Sequence, residues 1–239
     1  MTQATLIMAY YENPKMLQVQ YDHIRALPES IRKFISVIIV DDGSPKFPAV
    51  PPDKDLGIVD LQIYRMGVDV RWNQDACRNI GVRHAKTEWV LLTDMDHLVP
   101  ADTWNEVLWI KITNPDQYYW MFPRVSAPDM SDYKHHPNTW FMTRTLYDKM
   151  GGYDERFAGI YGTDGDFARR LRPHAQLQWF ATPIIRVPST EVADAATTAY
   201  DRKTPADYEG RERVNRERAQ IPNWKSLRYS FPYSRVYPT

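Results

Sequence analysis

Trp89-Val90-Leu91-Leu92-Thr93-Asp94-Met95-Asp96 is the stretch that decides how the rest of the chain is read. It is an apolar run of strand length that ends on two carboxylates separated by Met95. Working outward, the same kind of run recurs at Thr5 to Tyr10, Ile35 to Val40 and Leu61 to Tyr64. Ile35 to Val40 is β-branched at almost every position, which suits a strand covered on both faces. Between the runs lie segments with helical spacing. After Asn13-Pro14, a cap and a first-turn proline, come Leu17, Tyr21, Ile24 and Leu27, and Pro28 ends the pattern. Asn73 to Lys86 carries Ala76, Cys77, Ile80 and His84 at the same spacing. This alternation predicts a mostly parallel central sheet flanked by helices. Ligands of such sheets gather beyond the carboxyl ends of the strands. Three of the four predicted strands end in polar or acidic groups: Tyr11-Glu12, Asp41-Asp42 and Asp94/Asp96.

After Pro100 the pattern loosens. Trp104 to Ile112 predicts a helix, Tyr118 to Phe122 and Thr139 to Met142 predict strands, and Gly151-Gly152-Tyr153-Asp154 predicts a turn. A helix is expected from Thr163 to Leu171, with Thr163 as its cap and Asp166 at the third position. A last strand is expected over Gln178 to Val187. From about Ser189 the chain turns polar, with a helix over Pro205 to Gln220 and Arg interleaved with aromatic residues from Trp224 to Tyr237.

Composition removes several classes. Lys+Arg and Asp+Glu are both 30, so net charge argues neither for nucleic acid nor for membrane. No run approaches the roughly 20 apolar residues that cross a bilayer. The N-terminal residues lack the basic head and apolar stretch of a signal peptide. Cys77 is the only cysteine, which excludes an intramolecular disulfide and a thiolate cluster and suits a reducing, cytoplasmic setting. The expectation is a soluble cytoplasmic protein, with peripheral membrane association as the variant.

Paired carboxylates at Asp94 and Asp96 make a dense negative spot that a hard divalent cation, Mg²⁺ or Mn²⁺, relieves while keeping positions open for phosphate oxygens. Read alone, the pair equally describes a solvated strand-end turn. Asp41-Asp42-Gly43-Ser44 has the same two readings, a turn or a carboxylate that accepts from a base or ribose. Arg78 offers a forked partner for a diphosphate, or a solvent-facing helix charge. The acids of Thr163-Asp164-Gly165-Asp166 either compensate the helix dipole or supply a general base. His97, His135, His136 and His174 lack metal-ligand spacing and read as structural. No Gly-x-Gly-x-x-Gly loop, Walker loop or serine elbow is present.

Taken in order, Ala9-Tyr10-Tyr11-Glu12, Val40-Asp41-Asp42-Gly43-Ser44, Ala76-Cys77-Arg78-Asn79-Ile80-Gly81, Leu92 to Asp96, Gly151 to Phe157 and Tyr161 to Arg170 resemble the inverting family-2 glycosyltransferases of the Rossmann-like GT-A fold. The resemblance covers residues 5 to about 187. It implies a GT-A domain over 1–188, with a nucleotide-sugar half (1–99) and an acceptor half (100–188), followed by a C-terminal extension over 189–239. It implies that Ala9, Tyr11, Glu12, Asp41, Asp42, Arg78, Asp94, Met95 and Asp96 line the donor site. Asp96, with Asp94, would ligate Mn²⁺ or Mg²⁺. Asp164 would be the catalytic base, with Thr163 where the family has Glu. Trp140, Gly151, Gly152 and Asp166 would face the sugar or acceptor. The implied donor is a nucleotide-sugar, UDP-sugar first, and the acceptor hydroxyl belongs to a glycan, a lipid-linked glycan or a modified DNA base. The DNA option rests on the Arg and aromatic residues of the tail. Two other classes stay open: a nucleotidyltransferase acting on sugar phosphates, and a non-catalytic sugar-nucleotide-binding module.

Overall fold

The first half follows the alternation of apolar runs and helical segments. The structure, a computed structural model, describes residues 1–134, 138–196 and 203–238. β1 (Ala4–Tyr10) leads through α1 (Pro14–Ala26) and the short α2 (Glu29–Arg32) to β2 (Ile35–Asp41). β3 (Asp60–Met66), α3 (Gln74–His84) and β4 (Trp89–Asp94) follow. β1 pairs in parallel with β2 and β4, and β2 pairs in parallel with β3. Leu6, Met8, Val37, Ile39 and Leu91 pack on one side with Leu17, Tyr21 and Ile24 of α1. Ile7, Ile38, Val40, Val90 and Leu92 pack on the other with Ala76, Cys77 and Ile80 of α3. Both faces are covered, which is why these strands read as continuous apolar runs. A Cβ on Gly81 would stand 2.3 Å from Ile7 Cγ2, so α3 lies closer to β1 than any side chain there would permit.

The second half departs more from its sequence pattern. β5 (His97–Leu98) and α4 (Ala101–Leu108) come first, then β6 (Tyr118–Met121), β7 (Arg124–Ser126), β8 (Ser131–Tyr133) and β9 (Trp140–Thr143). α5 (Arg144–Lys149), α6 (Asp164–Leu171), β10 (Gln176–Trp179) and β11 (Ile184–Arg186) complete it. The helix expected over Trp104 to Ile112 begins and ends earlier; the Leu108 carbonyl accepts from Thr2 N instead of continuing a helix. The single strand expected over Gln178 to Val187 is two strands in two sheets. Pro183 cannot donate to a ladder, and Glu106 takes the Ala181 and Thr182 N–H groups, so the chain crosses between sheets there. The main sheet runs β10-β6-β9-β4-β1-β2-β3 with a last strand added beyond β3, and β5-β11-β7-β8 form a second sheet.

The C-terminal residues are built into this frame. α7 (Pro205–Ala219) buries Val214 against Phe157 and Ile160. β12 (Tyr233–Tyr237) pairs antiparallel with β3 and closes the edge of the main sheet. Asp194 accepts from Lys15 N and Met16 N, capping α1 where Asn13 makes no side-chain cap. Some of the Arg and aromatic residues that fit a nucleic-acid grip are used internally: Arg218 stacks on Trp224 at 4.2 Å, and Arg228 pairs with Asp148 at 2.7 Å, while Arg213 and Arg216 stay exposed on α7. Among the described residues no helix is long and apolar enough to cross a membrane.

Asp207 ties α7 down. It accepts from Arg71 at 2.6 and 3.0 Å and from Tyr161 N at 2.9 Å, and it completes a capping box with Thr204. Arg71 first, then these N–H groups, hold its carboxyl well below the usual range. A depressed native pKa means stability that is present above the unfolded value and lost as pH falls. Asp207→Asn is therefore expected to cost about 2–4 kcal/mol in urea unfolding at pH 7, with the difference from wild type shrinking below about pH 4.

Candidate active site

Arg78 is the hub of the site. It sits on α3, is 0% exposed, and its guanidinium is divided among three acceptors. Nη1 donates to the Tyr153 hydroxyl at 2.5 Å and to Asp164 Oδ1 at 3.3 Å, and Nη2 donates to Asp94 Oδ1 at 2.7 Å. A strand end, a helix start and a loop thus converge on one buried cation. Burial works against that charge, but Tyr153, Asp94, Asp164 and Asp75 outweigh it and keep it protonated. The expectation of a solvent-facing helix charge does not hold here. Asp94 also accepts from Gln74 and Asn138.

Asp96 faces the other way. Its Oδ1 lies 2.8 Å from His97 Nδ1 and its Oδ2 lies 3.9 Å from Arg186 Nε. Burial opposes ionisation of Asp96, yet His97, Arg186 and Arg124 hold its carboxyl below the usual range. Ligand atoms from Asp94, Asp96 and His97 all lie within 4.8 Å of one another. Both ring nitrogens of His97 are buried; Nδ1 lies against Asp96, and Nε2 has no hydrogen-bond partner among the described residues. A buried imidazole with one unpartnered nitrogen beside two carboxylates is a donor set that fits a divalent cation. His97, read from the sequence as structural, lies in this cluster, a placement that His-x-x-x-His spacing rules do not detect. His135 and His136 lie outside the described residues.

At the ends of β1 and β2 the adjacent acids divide their work. Asp41 accepts from Ser44 N at 2.8 Å and Ala49 N at 2.9 Å, so it organises the loop after β2. Glu12 Oε1 accepts from Lys46 N and Phe47 N of the same loop. Asp42 uses Oδ2 to accept from Asn73 N at 3.0 Å, while its Oδ1 is buried with no hydrogen-bond partner. Both side-chain polar atoms of Asn73 are in the same condition. Burial, then Asp41 and Asp69, push the Asp42 carboxyl well above the usual range. The Tyr11 hydroxyl reaches Asp69 at 3.4 Å. Ala9 is half-buried at the end of β1, and Met95 is buried, its carbonyl accepting from Gln20.

Residues expected to face the acceptor instead support the frame. Trp140 is 1% exposed, packs against Tyr119 and Phe167, and donates its indole N–H to the Tyr153 hydroxyl at 3.1 Å. In place of a sugar contact it steadies the phenol that Arg78 uses. Gly152 has φ 60°, and a Cβ there would stand 2.7 Å from Asn79 Oδ1 and 2.8 Å from a Tyr147 ring carbon. Gly151 likewise has φ 86° and faces Ser226. The two glycines permit a left-handed turn packed onto α3 and the C-terminal segment. Asp166 pairs with Arg170 at 2.9 Å and with Arg218 of α7, so it anchors the extension.

Residues 5–173 match the model of Glycosyl transferase family 2. The chain belongs to that family. Solved structures agree on the GT-A fold. S. aureus TarS 1-349 in complex with UDP-GlcNAc is 12% identical with a TM-score of 0.63, matching 93% of this chain and 68% of that one. The mannosyltransferase PcManGT from Pyrobaculum calidifontis, in complex with GDP-Man and Mn²⁺, is 18% identical with a TM-score of 0.54 over 78% of this chain and 56% of that one. GalNAc-T7 with UDP, GalNAc and Mn²⁺ is 10% identical, with a TM-score of 0.57 over 78% of this chain and 44% of that one. A second TarS 1-349 structure is matched over 63% of its length, so the chain spans under two thirds of several of these proteins. Among curated proteins none matches.

One acid of this family-2 chain escapes a reading of motifs. Asp75, in the first turn of α3, is buried and accepts from Thr163 Oγ1 at 2.9 Å. Thr163 therefore does not cap α6 with its side chain, as expected; it ties the helix start to α3. Burial, then the nearby Asp164 charge, push the Asp75 carboxyl up to about 7. The native state thus holds a proton that the unfolded chain releases near pH 4. Stability contributed here is complete below pH 4 and declines as pH rises toward 7. Unfolding of Asp75→Asn across pH 4–7 is expected to lack this decline, seen as the wild-type minus variant difference. A constant difference would exclude the raised pKa.

Proposed function

We propose that the chain is a metal-dependent, inverting glycosyltransferase that moves a sugar from a nucleotide-sugar, UDP-sugar first, to an acceptor hydroxyl. The observation that carries this reading is the shared guanidinium of Arg78, which fixes Asp94 on the donor strand and Asp164 at the start of α6 on one rigid group. Family membership and the nucleotide-sugar complexes of TarS and PcManGT support the donor class.

Asp96 and His97 would hold the cation, with Asp94, already bound to Arg78, at the edge of the cluster. An imidazole in the set favours Mn²⁺ over Mg²⁺, which takes oxygen ligands. When bound, the ion supplies positive charge against the departing diphosphate. Asp42 and Asn73 offer buried, unpartnered polar atoms for the base, with Tyr11 at the edge. Asp164 accepts the proton of the acceptor hydroxyl as its oxygen bonds to the anomeric carbon and the bond to the diphosphate breaks. One displacement inverts that carbon and needs no covalent enzyme intermediate. Arg78 keeps Asp164 in place and remains charged. Glycan, lipid-linked and DNA-base hydroxyls all satisfy this chemistry, and the internal pairing of Arg218 and Arg228 leaves fewer tail cations for a nucleic acid.

Asp164→Asn is expected to lower turnover by about 10²–10⁴-fold while UDP affinity, measured by calorimetry with Mn²⁺, stays within about twofold. Near wild-type turnover would remove Asp164 as the base. In a screen of nucleotide-sugars, chelator should abolish activity and Mn²⁺ should restore it in wild type but not in Asp96→Asn. Full activity in chelator would exclude the metal.

A further inference from the structure

The second sheet aligns cationic and aromatic groups on one face. β5 and β11 pair His97 with Arg186, and β11 pairs Arg186 with Ser126 of β7. Arg124, two residues before Ser126, shares that face and pairs across with Tyr133 of β8. The row therefore runs His97, Arg186, Arg124, Tyr133, starting at the Asp96 cluster. The side chains follow the register: the guanidinium of Arg186 lies 4.7 Å from the Tyr133 ring centroid and that of Arg124 lies 4.9 Å from it.

This row carries more positive charge than its surroundings answer. Arg124 is 6% exposed, and among the described residues its Nε is buried without a partner and its Nη1 reaches only the Lys134 carbonyl, at 3.4 Å. Asp96 is the only acid at ion-pair distance from either arginine among the described residues, at 3.9 Å from Arg186. Burial already pulls the Arg124 pKa down. A cation held by Asp96 would take away even that counter-charge. Buried guanidinium without an anion is unfavourable, and forked N–H groups beside an aromatic ring are suited to a planar or tetrahedral oxyanion.

We infer that Arg124, Arg186 and Tyr133 form a receptor for a phosphate-type oxyanion carried by the acceptor. The inference rests on the proposed transferase reading for the word acceptor, and on the sheet register for the site. The row extends from Asp96 through β11, β7 and β8, elements of the second half, and away from β1 and β2, where Tyr11 and Asp42 stand for the nucleotide. Charge on the donor diphosphate would be matched by a cation at Asp96 and His97 instead. The acceptor class is then a hydroxyl compound bearing a phosphate near the hydroxyl that receives the sugar.

The test uses the full chain with Mn²⁺ and calorimetric titration of UDP, sn-glycerol 3-phosphate and glycerol in separate arms. Wild type is expected to bind glycerol 3-phosphate in preference to glycerol. Arg124→Gln and Arg186→Gln should each weaken the phosphate probe by about 10- to 100-fold and leave UDP within about twofold. Arg124→Lys, which keeps the charge, should retain part of the phosphate binding and controls for folding. Weakened UDP with an unchanged phosphate probe would assign the arginines to the donor and overturn the inference. Equal binding of glycerol and glycerol 3-phosphate by wild type would also overturn it. Phosphate binding without any UDP binding would sink the donor reading while leaving the anion site in place.

Discussion

Everything at this site depends on one buried guanidinium. Arg78 has no exposed surface, so its charge persists only because Asp94, Asp164 and the Tyr153 hydroxyl surround it. The constraint works in both directions. Neither carboxylate can move far without leaving the cation underpaired, and Tyr153 is held in turn by Trp140 and by Asn79, which accepts from Tyr153 N. The Gly151-Gly152 turn lets Tyr153 approach α3 closely enough to take part. A hydrogen-bonded network of this kind is rigid when complete. Preorganised groups around a reacting centre are what transfer chemistry requires.

The C-terminal residues extend that rigidity. Glu155 accepts from Asn79 on one side and from Tyr229 N and Ser230 N on the other, so the loop that carries Tyr153 is clamped between α3 and the tail. Asp154 and Asp166 share Arg218 of α7. Arg218 and Arg228 are thus spent inside the molecule, on the loops and helix that set the site.

The parallel core was legible in the sequence because β1, β2 and β4 are buried on both faces and read as unbroken apolar runs. The second sheet was not, since strands of two to four residues such as His97–Leu98 and Arg124–Ser126 are too short to show a period. Asp94, Asp96, Arg78 and Asp164 were legible as an ordered set through family resemblance. Their joining on one guanidinium depends on tertiary contact between α3 and α6, which no spacing encodes. Asp75 and His97 stayed hidden for the same reason: each becomes notable only through a neighbour distant in the chain or through burial. Asp41 and Asp42 could not be told apart in sequence, because the fold of the following loop decides which one it consumes. Trp140 and Asp166 were placed near the acceptor by motif position, whereas packing and Arg218 claim them.

The arrangement around Arg78 also separates the tasks of two carboxylates that stand either side of Met95. Asp94 is committed to the protein's own cation, and Asp96 is turned toward His97 and the second sheet. Anomalous diffraction from crystals soaked with Mn²⁺ and UDP tests this division most directly. The expected result is one Mn²⁺ peak bonded to Asp96 and His97, with Arg78 still bound to Asp94 and Asp164. Density showing Arg78 released from both carboxylates and bonded to the diphosphate, with no Mn²⁺ at Asp96, would contradict it.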